Sequence, residues 1–349
     1  KQLVKEDSSK LFDDWKSITS VLDIGFEKSD KLCDLKKQKS LKRKADSDEY
    51  SMTGPTFKKV RIEKPQKYFK TPVDNVDNGP FKPKLRSKPF AIEPLEESLR
   101  LEAAEVGIPE HYKNPYEVEI REQGYNSMIY TQQEPIMYSS FNETTAIFVT
   151  TDDGLKDMIT DLKNHKELAI DLEHHDLRTY YGITCLMQIS TRDQDYIVDT
   201  LLLRDELNQL NEVFCNPDIV KVLHGAFMDI IWLQRDFGLY IVGLFDTYHA
   251  SKSLGFKKNS LAFLLSHYVN FDAAKQYQLA DWRQRPLTPE LLSYARSDTH
   301  FLLYIFDMLR NELVSRNKIQ HVLEESRKVA LRRFENNTYR PDVFSSDVY

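Results

Sequence analysis

Apolar positions along the chain fall into two regimes. Before about residue 145 they are scattered, apart from one stripe in which Leu11, Phe12, Trp15, Ile18, Val21 and Leu22 recur at helical spacing. That stripe predicts a single amphipathic helix within residues 8–30. Downstream the apolar residues are dense and switch repeatedly between strand and helix periods. Residues 146–150 read as a strand and 152–164 as a helix with Leu155, Met158, Ile159 and Leu162 on one face. Residues 168–172 form the next strand, and 183–190 and 196–199 two more, joined by a short polar turn as an antiparallel hairpin. A helix over 202–214, a β-branched strand over 219–223, a helix over 226–237, a strand over 239–245 and a helix through Leu254 follow. A long helix opens at Pro286-Leu287-Thr288-Pro289-Glu290, with Thr288 as N-cap and Pro289 at the first helical position.

Three adjacent strands followed by alternating helix and strand predict an α/β fold, a mixed sheet covered by helices, in the order that a ribonuclease-H-like domain requires. We place that domain at residues 145–320. Upstream, residues 55–94 hold seven of the 14 prolines. Such a composition forms no packed core alone, so residues 31–144 read as an extended basic and Pro-rich strap or linker, with 111–145 irregular. No apolar run approaches a bilayer span, which argues against a membrane helix. The chain begins at Lys1, so the lack of a visible leader says little.

Charge and cysteine content narrow the class. The net charge is −6, yet residues 31–70 carry 13 Lys/Arg against 5 Asp/Glu, leaving −14 on the remainder. The basic clusters, Lys36-Lys37-Gln38-Lys39 with Lys42-Arg43-Lys44, and Lys58-Lys59-Val60-Arg61, read as an import signal, a nucleic-acid arm or a solvated linker. An acidic remainder does not exclude a nucleic-acid substrate, since carboxylates gathered around a metal also make a domain acidic. The three cysteines, Cys33, Cys185 and Cys215, form no Cys-x-x-Cys pair. That argues against a disulfide framework or zinc ribbon and fits a reducing compartment.

The candidate chemistry begins at Leu168-Ala169-Ile170-Asp171-Leu172-Glu173-His174-His175-Asp176. Asp171 and Glu173 share one face of their strand. Either a cation lies between them or both sit on a solvated edge. Asp229 follows a buried strand in His224-Gly225-Ala226-Phe227-Met228-Asp229 and falls in the first turn of a helix, where it serves the helix dipole or a site. Tyr294 and Asp298 lie four apart on the late helix, on a face near Leu291, Phe301 and Leu302 that points inward. Inward carboxylates need partners. Together Asp171, Glu173, Asp229 and Asp298 predict a site for divalent cations, and oxygen-only ligands favour Mg²⁺ or Mn²⁺ over zinc. Two such ions roughly 4 Å apart can activate water and stabilise a leaving oxygen in phosphodiester hydrolysis, and Tyr294 is placed to orient the water.

This order, Asp171-x-Glu173, Asp229, then Tyr294-x-x-x-Asp298, resembles the DEDD exonuclease superfamily in its tyrosine-bearing branch. Gln278-Leu279-Ala280-Asp281-Trp282-Arg283-Gln284-Arg285-Pro286-Leu287 with Tyr294-Ala295-Arg296-Ser297-Asp298 resembles the RNase D signature. Asp171 to Asp176, Leu186-Met187-Gln188-Ile189-Ser190-Thr191, His224 to Leu233 and Gly243-Leu244-Phe245-Asp246-Thr247 are similar to the exosome component 10 family, the RNase D-like subunit of the nuclear exosome. The resemblance spans about residues 145–340. It implies a hydrolytic 3′→5′ exoribonuclease that releases nucleoside 5′-monophosphates and trims rRNA, snoRNA and snRNA in the nucleus, both nucleolus and nucleoplasm, with the RNA exosome core. It further implies that Asp171, Glu173 and Asp298 hold one metal, that Asp171 bridges to a second supported by Asp229, and that Tyr294 orients the water. Residues 1–30 resemble the end of an N-terminal domain that binds a small cofactor protein, and 321–349 a linker toward a helical HRDC domain.

Contacts to the single-stranded 3′ end are less determined. Trp232, three after Asp229, stacks a base or anchors the core. His174 contacts the terminal nucleotide or is a hydrogen-bonded structural histidine. Lys275 meets a phosphate or is simply solvated, and Arg285 braces Asp281 or its loop. The pairs His249/Asp246 and His300/Asp298 suggest nucleophilic triads, but no serine or cysteine stands in a nucleophile-elbow context. Two other readings stand beside the RNA-trimming one: an idle RNA-binding scaffold that keeps the fold, and a DNA-directed or tRNA-trimming nuclease of the same superfamily.

Overall fold

The apolar runs after residue 145 assemble into one sheet because most of their residues are buried on both faces. The computed structural model describes residues 62, 64–73, 79–105, 108–176, 179 and 181–336. The helix expected at 8–30 and both basic clusters lie outside the described residues. The central sheet contains β1 Ile147–Val149, β2 Glu167–His175, β3 Ile183–Ser190, β4 Asp195–Val198, β5 Val220–Leu223 and β6 Leu244–Asp246. Their spatial order is β1-β4-β3-β2-β5-β6. β2, β3 and β4 form an antiparallel meander, β1 runs parallel to β4, and β5 and β6 continue in parallel beyond β2. Helices α1 Glu117–Glu122, α2 Asp152–Leu162, α3 Asp229–Phe237, α4 Thr247–Leu254, α5 Leu261–Val269, α6 Pro289–His300, α7 Leu302–Ser315 and α8 Ile319–Ala330 surround or precede it.

Alternate residues of β2 feed opposite layers, as strand geometry requires. Leu168 and Ile170 join a core with Leu155, Met187 and Leu233, whereas Ala169 joins one with Phe245, Phe306 and Leu309. This is the mixed sheet between helices that the periodicity predicts. The cap of α6 is also as expected: Thr288 accepts the Leu291 N–H at 3.3 Å.

Several expected boundaries shift for identifiable reasons. The helix expected over 202–214 is reduced to a 3-10 turn at Leu207–Leu210 and one α-turn at Asn211–Phe214. At its start, the Asp199 carboxylate accepts the Leu201 and Leu202 N–H groups instead. The strand expected over 239–245 is confined to β6, because Gly238 and Gly243 both adopt positive φ and turn the chain on either side of a buried apolar loop. α3 begins at Asp229 rather than 226. The stretch 111–145 is not wholly irregular: it contains α1, and Tyr116 and Ile120 enter the main core. Residue 320 falls inside α8, whose Val322 and Leu323 are fully buried.

Candidate active site

The carboxylates come from three elements that meet at the middle of the sheet. Asp171 and Glu173 project from β2, where Asp171 is paired with Gln188 and Glu173 with Leu186 across the β2–β3 ladder. A register shift follows directly between Glu173 and His174, and such a bulge re-aims the side chains around it. Asp229 is the first residue of α3 and Asp298 lies in the last turn of α6. Ligand oxygens of Asp171, Glu173 and Asp298 lie within 4.8 Å of one another. Asp229 belongs to the same electrostatic group, since its charge and that of Asp171 each disfavour ionisation nearby.

Burial makes this crowd expensive. Glu173, Asp229 and Asp298 are each under 9% exposed. Desolvation pushes Asp171 up to about 7 and lifts the other three carboxyls well above the usual range, with mutual repulsion adding to it. Among the described residues no lysine or arginine forms an ion pair with any of the four. A carboxylate cluster that lacks an internal counter-charge and offers only oxygen donors fits a hard divalent cation. Tyr294 stands one turn before Asp298, within electrostatic reach of Asp298, Glu173 and Asp171. Its ring is held in an apolar cluster with Trp282, 5.9 Å away. Burial and the adjacent carboxylates keep its phenol protonated.

The expected substrate contacts fall differently. His174 lies flat on Trp232, ring centroids 4.1 Å apart and planes 1° apart. Gly182 approaches the same ring, and an added Cβ there would stand 2.1 Å from the imidazole. Desolvation, followed by the Arg235 charge, depresses it to about 3, so the ring is neutral. Trp232 is half-buried against the core, with one face given over to His174. Lys275 opens a short turn, Lys275–Tyr277, and its side chain lies outside the described residues. Arg285 does brace its loop, but through Asp199, at 2.5 and 2.9 Å, and the Cys185 carbonyl; Asp281 pairs with Arg283 instead. Neither suspected triad forms. His300 bonds Asp195 at 2.7 Å rather than Asp298, and Asp246 caps the N–H groups of Gly225, Ala226 and Tyr248.

Two residues near the site carry a signal the sequence reading passed over. Gln188 interrupts the apolar run of β3 and reaches Glu173 at 3.4 Å. Arg235, three after Trp232 on α3, places its guanidinium 3.3 Å from His174 Nε2.

Residues 146–314 match the model of a family described as 3′-5′ exonuclease. Fold and carboxylates together define a 3′-5′ exonuclease domain of the DEDD type. The chain is 53% identical over 352 residues to Exosome complex exonuclease RRP6 of Saccharomyces cerevisiae, which covers 100% of this chain and 48% of that protein. It is 42% identical over 303 residues to human Exosome complex component 10, covering 78% of this chain and 34% of that one. The crystal structure of the catalytic core of RRP6 from Trypanosoma brucei superposes with a TM-score of 0.71 at 41% identity, covering 81% of this chain and 74% of that chain. The chain belongs to the RRP6 and exosome component 10 family. It spans about half the length of the yeast relative and about a third of the human one.

Proposed function

We propose that this chain is a hydrolytic 3′→5′ exoribonuclease that removes nucleoside 5′-monophosphates one at a time from single-stranded RNA ends. The convergence of Asp171, Glu173 and Asp298 within 4.8 Å carries the reading, because no structural role recovers the cost of two buried carboxylates and a half-buried one with no counter-charge. Asp171, Glu173 and Asp298 hold one Mg²⁺ or Mn²⁺, and Asp171 and Asp229 a second. Those cations supply the charge that lets four carboxylates ionise together and the Lewis acidity that phosphodiester hydrolysis draws on. The protein's own part is orientation. Tyr294, kept protonated by burial and the neighbouring carboxylates, holds the attacking water. His174 and Trp232 wall the terminal nucleotide, and Lys275 meets a phosphate.

On this reading residues 145–320 are the nuclease domain, 31–144 its strap, and residues 1–30 belong to a region that binds a small cofactor protein. The names of the relatives support work alongside the RNA exosome, and hence a nuclear site and trimming of rRNA, snoRNA and snRNA precursors. Among the described residues no helix is long and apolar enough to cross a membrane.

The deciding assay offers 5′-labelled single-stranded RNA and DNA to the chain with Mg²⁺ or Mn²⁺. Stepwise shortening of RNA from the 3′ end, absent in Asp171→Asn, is expected. RNA that stays full length, or identical behaviour of the variant, overturns the reading; equal trimming of DNA replaces it with the DNA-directed one.

A further inference from the structure

The stack of His174 on Trp232 does more than pack two rings. His174 follows Glu173 directly on β2, and Trp232 lies one turn after Asp229 on α3, so the stack ties the two elements that carry the early carboxylates. What holds the stack is a buried charge network behind it. Arg235 donates from Nε and Nη2 to the Asp236 carboxylate at 2.9 and 2.8 Å, and from Nη1 to the Tyr181 carbonyl. Its Nη2 also faces His174 Nε2 at 3.3 Å; a guanidinium only donates, so that nitrogen accepts. Asp236 in turn accepts from Arg204 at 3.0 Å and from the N–H and hydroxyl of Thr184 at 2.9 and 2.8 Å.

The strap closes this network from outside. The ring of Phe69 lies 4.7 Å from the Arg204 guanidinium, and flanking contacts fix it there: Lys70 to Glu206 at 2.5 Å and Thr71 to Asp205 at 2.8 Å. Further along, Lys84 donates to the Arg235 carbonyl at 2.8 Å. Its own carbonyl crosses Gly238 so closely that a Cβ there would lie 2.5 Å away. Two separated stretches of strap therefore bear on the same pair of arginines.

We infer that Arg235 is a positioning residue for the RNA 3′ end: with Asp236, Arg204 and the strap residue Phe69 it fixes the His174–Trp232 wall, making the strap a working part of the RNA-binding site. The inference rests on the reading of the carboxylate cluster as an RNA-trimming centre. It treats the strap as part of the enzyme rather than as tether alone.

The test is steady-state kinetics of the full chain on 5′-labelled single-stranded RNA, with melting temperature recorded for each variant. Arg235→Gln is expected to raise KM about tenfold, the size expected for a lost charged hydrogen bond. Its kcat and the Mn²⁺ concentration for half-maximal rate should hold within about twofold of wild type, a spread of roughly 0.4 kcal/mol. Arg235→Lys falls between, because an ammonium keeps the charge but not the fork. Phe69→Leu, which preserves apolar packing but removes the ring under Arg204, raises KM about threefold. If Arg235→Gln does not fold, Arg235→Lys and Phe69→Leu decide. Wild-type KM in the folded variants, or a fall in kcat at constant KM, overturns the inference. Asp171→Asn separates the two levels: full activity there defeats the underlying reading, whereas a dead Asp171→Asn beside a wild-type KM in the Arg235 and Phe69 variants defeats only the coupling.

Discussion

Tyr294 and Asp298 stand one turn apart on α6, where burial and then the Asp298 charge hold the phenol protonated. A protonated hydroxyl thus sits beside the carboxylate cluster, while the ring packs 5.9 Å from that of Trp282. Tyr294→Phe keeps that packing and deletes only the hydroxyl. We expect kcat on RNA to fall about 100-fold, at the lower end of what a positioned proton-handling group contributes, with KM and melting temperature nearly unchanged. Single-turnover cleavage of end-labelled RNA measures this; a variant as fast as wild type would remove Tyr294 from the mechanism.

The crowded carboxylates make stability depend on both metal and pH. Burial raises Asp171 from 3.8 to about 7, so between those values the folded chain binds more protons than the unfolded one. Its contribution is therefore complete in acid and is lost as pH rises through about 7. Between pH 5 and pH 8 the metal-free wild type should lose more melting temperature, or gain less, than Asp171→Asn, since the opposite-signed shifts of His174 and Lys221 are common to both. Mg²⁺ or Mn²⁺ at 100 times its dissociation constant should restore about 2.7 kcal/mol. Asp171→Asn should also abolish the metal-induced shift in differential scanning fluorimetry. An equal metal shift in that variant would place binding elsewhere.

How much of this was readable in advance follows from which interactions are local. β3 and β5 announced themselves because their buried residues are contiguous, and α6 because Thr288 and Pro289 are neighbours in sequence. Strand and helix periods put Asp171 with Glu173 on one face and Tyr294 with Asp298 on another but leave open whether the first pair and Asp229 face a site; the resemblance to the DEDD order is what joins the four. The buried loop over 239–242 has the apolar content of a strand, but its conformation is set by Gly238 and Gly243 on either side of it. The Arg235 contact to His174 joins residues 61 apart, and Arg285 finds Asp199 across 86 residues. No local period encodes such pairs. Nor does a Pro-rich composition reveal that Tyr116, just beyond it, is fully buried in the nuclease core.

The strap carries its own buried anchor. Lys88 and Glu119 pair at 2.8 Å with side chains 1% and 0% exposed. Glu119 also accepts the N–H groups of Ile92 and Glu93 at 2.7 and 3.1 Å. Glu119→Ala leaves a buried ammonium unpaired and two N–H groups orphaned, which should cost about 3–5 kcal/mol. Glu119→Gln keeps an acceptor and should cost less. Urea denaturation gives the comparison; equal midpoints for wild type and Glu119→Ala would mean the pair contributes nothing to stability.

Lys221 supplies a second pH signature, of opposite sign. It is wholly buried on β5, and its ammonium donates to the carbonyls of Asn216 and Ile219 at 2.7 and 2.6 Å. Desolvation lowers it from 10.5 to about 7. Between those values the unfolded chain binds the proton that the folded chain has released, so stability rises with pH across that window and is penalised below it. Lys221→Met removes the titration while filling similar volume, although it strands both carbonyls at a pH-independent cost. The discriminating quantity is therefore the slope of unfolding free energy against pH from 7 to 10, not its absolute value. We expect the wild-type slope to exceed that of Lys221→Met, since tyrosines and cysteines that titrate in the same range are common to both. Parallel curves would show that Lys221 stays charged in the folded chain, with the two carbonyls offsetting its desolvation.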